Sequence, residues 1–154
     1  MKFSKLIQKK QKKPSKKFKK PKGAIWIFFS YTTKDLKEFH IKGLAKALEK
    51  YDEYDQVLIL KEKTTDSIIE NMDFYIKNVN ALVLFCSKSS KISEAVQNEW
   101  ESAEAIGIPI IPVFKTTNHV PALLRAKNGV NFTKNPLQNT INKLHENLQR
   151  KIIK

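Results

Sequence analysis

The sequence predicts an α/β fold: a flavodoxin-like, doubly wound five-stranded parallel sheet, order 2-1-3-4-5, with helices on both faces. Three observations carry this prediction. Four short runs are apolar at every position, as strands covered on both sides must be. Stretches with helical periodicity separate them. The regular alternation of the two requires right-handed crossovers, which bring successive strands into one parallel sheet.

The elements follow in order. Residues 24–29 (AIWIFF) form the first strand, and residues 35–50 a helix carrying Leu36, Phe39, Leu44, Ala47, Leu48 and Tyr51 mostly toward one side. His40 falls on the apolar side of that helix and reads as structural. Residues 57–60 (VLIL) form the second strand; the next helix opens with a capping box, Ser67 and Glu70, and carries Ile68, Ile69, Met72, Ile76 and Val79. Residues 81–86 (ALVLFC) are the third strand. With Ser93 as N-cap, the third helix places Ala95, Val96, Trp100, Ala103 and Ile106 on one stripe. Residues 108–114 (IPIIPVF) form the fourth strand, where Pro109 and Pro112 limit pairing to a few residues because proline brings no ladder donor. A short fifth strand fits residues 130–132. The last helix begins with Asn135 as N-cap and Pro136 at the first helical position, and runs Leu137, Ile141, Leu144, Leu148 and Ile152 along one stripe.

The net charge of +14 is unevenly spread. Residues 1–23 hold 11 lysines and no acid, leaving 18 basic and 15 acidic side chains for the other 131 residues. The chain therefore divides into a Lys-rich tail, 1–23, expected to be disordered, and one domain, 24–154. Eleven lysines interleaved with Phe3, Leu6, Ile7 and Phe18 suit an anionic membrane surface or a nucleic acid, and equally a solubilising tail. The domain itself shows no basic face with aromatic interleaving, which leaves nucleic-acid binding a third functional class supported by the tail alone. No run approaches the roughly 20 apolar residues needed to cross a bilayer, no secretory apolar region follows the first lysines, and Lys2 excludes myristoylation. Cys86, the single cysteine, sits in an apolar run and reads as a core residue. A cytoplasmic protein, peripheral at a membrane if the tail binds one, is the expectation.

In a doubly wound sheet ligands sit beyond the carboxyl ends of the strands where the winding reverses, here between the first and third strands. The loops concerned are residues 30–34 and 87–92. They lack the clustered acids of a phosphoacceptor and the glycines of a phosphate-cradling loop. A glycine-flanked serine elbow is also absent, and His40, His119 and His145 have no metal-ligand spacing. Hydroxyls at Ser30, Thr32 and Thr33 fit either a flavin phosphate or a helix cap. What remains is Glu99, a carboxylate inside the apolar stripe of the third helix, while Glu94, Glu101 and Glu104 point elsewhere. Two readings fit it: a glutamate whose head reaches water or a lysine, and a charge held in the crevice for chemistry.

The motifs resemble those of a TIR (Toll/interleukin-1 receptor) domain of the prokaryotic type over about residues 24–133. Phe28-Phe29-Ser30-Tyr31 followed by Asp35 is similar to the family's first box, and residues 68–84 to its second helix and third strand. Ser93 and Glu99, six apart, match the family's serine, tryptophan, cysteine, glutamate pattern, with Ala95 and Val96 at the tryptophan and cysteine positions. Residues 103–113 and Pro121-Ala122-Leu123-Leu124 follow in place. The loop at 61–66, which in the family gates the pocket and mediates assembly, is short and lacks the usual proline and glycine.

The resemblance implies an NAD+ glycohydrolase or cyclase in immune or defence signalling, with Glu99 catalytic, Ser30, Tyr31 and Thr32 lining the substrate, NAD+ as substrate and no cofactor or metal. Trp100 reads as core. It also implies self-association through TIR–TIR contacts and sensing by a separate partner. The alternative within the same family is a non-enzymatic adaptor acting through TIR–TIR interactions.

Overall fold

The computed structural model describes residues 20–59 and 73–152. The predicted sheet is present: five parallel strands in the order β2-β1-β3-β4-β5. They are β1 (Trp26–Ser30), β2 (Gln56–Ile59), β3 (Ala81–Cys86), β4 (Ile110–Phe114) and β5 (Val130–Asn131). The helices are α1 (Asp35–Glu38), α2 (Ile41–Glu49), α3 (described residues 73–78), α4 (Lys88–Lys91), α5 (Glu94–Ala105) and α6 (Leu137–Ile152).

Side chains alternate across a strand, so position along it decides the face. Ile27 and Phe29 of β1, Val83 and Phe85 of β3, and Ile111 and Val113 of β4 pack under α2 and α6. Trp26, Phe28, Leu82, Leu84, Cys86 and Ile110 pack on the other side, with Tyr75 and Ile76 of α3 and with Val96, Trp100 and Ala103 of α5. Every residue of β1 and of β3 is buried, which is why neither run alternates in polarity.

The helix expected over 35–50 is two helices. His40, at φ 47° and exposed, separates α1 from α2 instead of lying on an apolar face. At roughly 100° per residue a continuous helix would set Phe39 and Ile41 on opposite sides. The break lets both be buried, at 2% and 0% exposure. Phe39 then joins an edge-to-face ring cluster with Phe85 at 5.6 Å and Phe132 at 5.2 Å. A left-handed backbone is more accessible to histidine than to most residues.

The remaining differences are local. The 87–92 segment, expected as loop, contains α4, capped by Ser87 through a reciprocal box with Ser90. Helix α5 ends in a Schellman motif: Gly107 at φ 83° donates its N–H to Glu104 O, and Ile108 N–H bonds Ala103 O at 2.9 Å. Pro136 stands just before α6, whose start is tied down by Thr140, its Oγ1 accepting from Thr133 N and donating to Thr133 O. The stripe Ile141, Leu144 and Leu148 is buried as expected. Leu60, the 61–66 loop, the Ser67–Glu70 capping box, Ile68, Ile69, Met72 and residues 1–19 of the tail lie outside the described residues. Lys20, within the tail drawn from composition, donates to Asn80 Oδ1, so the docked chain extends back at least that far.

Pro112 lies inside β4, opposite Leu84 of β3. The carbonyl of Pro109 points to β3, where it accepts from Leu82 N, and that of Phe114 points to β5, where it accepts from Phe132 N. By alternation the missing Pro112 donor faces β5, and β5 pairing starts one residue later, at Val113↔Val130. Gly129 fills the space just before that pair: a Cβ there would stand 2.7 Å from Pro112 O and 2.9 Å from Phe114 Cε1. Gly129→Ala should therefore destabilise by about 1–3 kcal/mol, an overpacking cost, read as a lower urea midpoint with unchanged slope.

Candidate active site

The crevice forms where the strand connections diverge. After β1 the chain turns to the α2 face, and after β3 to the α5 face, so the carboxyl ends of these neighbouring strands open between them. Ser30 is the last residue of β1 and shares the parity of Trp26 and Phe28, which directs its side chain to the α5 face. There its Oγ donates to Glu99 Oε1 at 2.5 Å, a charge-assisted bond when the carboxylate is ionised.

Glu99 is half-buried on the border of the α5 stripe. The buried positions are Val96, Trp100 and Ala103, whereas Ala95 and Ile106, expected on the stripe, are exposed. Glu99 thus stands between a packed face and an open one. Trp100, at 6% exposure, is core. Ser93 caps the helix as expected, accepting from Val96 N at 3.2 Å. Glu94, Glu101 and Glu104 are exposed.

The other expected site residues are dispersed. Ser30 itself is buried to 1% and contacts Glu99. Tyr31 is 8% exposed and packs in the core beneath α2 and α6, the face opposite Glu99. Thr32 is equally buried, and its Oγ1 donates to Asp35 Oδ2 at 2.8 Å. The same oxygen accepts from Ser87 Oγ at 2.6 Å. Asp35, 5% exposed, is therefore a buried carboxylate joining the two loops that flank the crevice. Neither Asp35 nor Ser87 was among the candidate site residues. The spacing Thr32-x-x-Asp35 before a helix carries the signature of a capping pair, which is the signal that could have found half of the arrangement. On its far side α4 is held by Lys91, whose Nζ donates to Asn118 O at 2.9 Å. Among the described residues, no cluster of histidine, cysteine, aspartate or glutamate could hold a metal ion.

A TIR domain family model matches residues 27–148, most of the chain and all five strands except the first residue of β1. The chain belongs to the TIR domain family. Among solved structures, it is similar to the TIR domain of the Toll-related receptor TRR-2 from Hydra magnipapillata, at 17% identity and a TM-score of 0.62, covering 80% of this chain and 97% of that one. It is also similar to the TIR domains of the activated Roq1 resistosome that recognises the pathogen effector XopQ, at 20% identity and a TM-score of 0.48, covering 84% of each. No curated protein matches the sequence. The likeness to TRR-2 concerns the fold; in this TIR domain the site is read from its own residues. No helix among the described residues is long and apolar enough to cross a membrane.

Cys86 borders this site but is no nucleophile. It is fully buried, and burial, with a smaller contribution from the Asp35 charge, pushes its thiol up to about 12 against an opposing backbone hydrogen bond at Val113. A folded-state value above the unfolded one, about 8.5, gives stability that is complete below the unfolded value and lost as pH rises toward the folded one. The buried Tyr54 hydroxyl, also raised by burial, adds loss in the same direction above about pH 10. Urea midpoints should fall between pH 8 and 10.5, by less in Cys86→Ala than in the wild type, and the native thiol should react with a disulfide reagent only as fast as the protein unfolds.

Proposed function

We propose that this TIR domain cleaves the bond between nicotinamide and ribose in NAD+, as a glycohydrolase or cyclase. The observation that supports it most is the Ser30–Glu99 bond: a carboxylate at the edge of a packed stripe, fixed by a buried hydroxyl at the strand ends where ligands bind. Nicotinamide leaves a pyridinium as a neutral molecule, so no general acid is needed, unlike in glycosidases that use two carboxylates. The site must stabilise the developing oxocarbenium cation and grip the ribose hydroxyls. Glu99 supplies the charge for both, and Ser30 holds one of its oxygens. Activity requires self-association through TIR–TIR contacts in this reading, and a separate partner supplies the activating signal.

Wild-type protein incubated with NAD+ at high concentration, or with a crowding agent, should release nicotinamide on chromatography. Glu99→Gln should keep the fold, since the amide has the same shape, while activity falls by roughly two orders of magnitude. Activity that survives this substitution excludes the mechanism. A wild type that releases no nicotinamide under those conditions favours the adaptor reading, in which Glu99→Gln leaves signalling intact and changes at 61–66 abolish partner binding.

A further inference from the structure

We propose that Asp35 is the positioning residue for Glu99, acting as a clasp that holds the two walls of the crevice at a fixed separation. The backbone ladder between β1 and β3 ends at Ser30↔Leu84. Beyond that pair the chains diverge to opposite faces, and the Asp35 carboxylate takes over the connection. Its Oδ2 accepts from Thr32 Oγ1 on one wall, at 2.8 Å, and from Ser87 Oγ on the other, at 2.6 Å.

The clasp closes a circuit that includes Glu99. Ser87 Oγ, while donating to Asp35, accepts from Ser90 N at 3.0 Å and so starts α4. Two residues past α4, Ser93 caps α5, and Glu99 lies six residues on. Glu99 then meets Ser30, two residues before Thr32 on the first wall. The two walls are thus linked at Ser30–Glu99 and through Asp35. Without Asp35 the circuit opens, and the β1 end loses its tie to the start of α4. A carbonyl-type oxygen suits the role because its two lone pairs can take both hydroxyl donors in a site 5% exposed.

The kinetic part of this proposal rests on Glu99 acting on NAD+, so the test has two readouts. In the full-length protein, Asp35→Ala should lower kcat for nicotinamide release by roughly 10- to 100-fold with KM nearly unchanged, as expected for a misplaced catalytic group. Asp35→Asn, whose amide oxygen can accept both hydroxyls, should recover most of the loss. Thr32→Val should reduce kcat alone but add nothing in the Asp35→Ala background. Independently of activity, Asp35→Ala should shift or broaden the NMR signal of the Glu99 carboxyl carbon and speed amide exchange at Ser90, and Asp35→Asn should do neither. Unchanged kcat, or a loss that Asn does not rescue, overturns the proposal. If the wild type releases no nicotinamide, the reading of Glu99 as an NAD+-cleaving group fails by itself; the clasp then stands on a perturbed Glu99 signal and faster Ser90 exchange in Asp35→Ala, and falls if both match the wild type.

Discussion

The parity of β1 organises this molecule. A strand buried on both faces has no polar side to mark its orientation, so the assignment of each residue to a face is set by packing alone. Here Trp26 and Phe28 go under α5, Ile27 and Phe29 go under α2 and α6, and Ser30 inherits the α5 face as the next residue in line. A one-residue slip of β1 would exchange the two sets and carry the Ser30 hydroxyl away from Glu99. The edge-to-face contact between Phe29 and Phe85, at 5.0 Å, works against such a slip, since turning Phe29 to the other face would break it. Core packing on one side of the sheet thereby fixes a polar contact on the other.

Much of this was legible in the sequence, because uninterrupted apolar runs and helical stripes are strong signals in a doubly wound fold. Strand order, the Ser93 cap and the α6 stripe follow from them. The break at His40 was less visible, yet a trace of it existed: a continuous stripe through Leu36, Phe39 and Leu44 leaves Ile41 on the wrong side, and a large aliphatic residue stranded in that way points to a change of helix axis. Helix α4 left no trace, since four residues of sequence Lys-Ser-Ser-Lys have no hydrophobic period and are stabilised by a cap and tertiary contacts.

The site was legible residue by residue rather than as an arrangement. Glu99 stands out by position on its helix and Ser30 by position at a strand end. That the two bond each other depends on how far α5 sits along β1, a tertiary quantity that periodicity does not contain. Asp35 was harder still. Its carboxylate reads as one member of a local helix-start pair, and its second partner, Ser87, is 52 residues away in sequence. Tyr31 shows the converse case: a residue chosen for the chemistry of its ring is committed to core packing by the same alternation that places Ser30 correctly.

The proline in β4 has a bearing on how this domain coexists with other copies of itself in a crowded solution. An open sheet has two borders, each a row of backbone donors and acceptors that a foreign strand can extend. By delaying the start of β5, Pro112 shortens that border to two residues, Val130 and Asn131, too brief a template to recruit a neighbouring chain. Unwanted strand addition at that border is therefore suppressed without a charged or bulged guard. It leaves β2, four residues long, as the longer of the two borders at which accidental growth of the sheet could start.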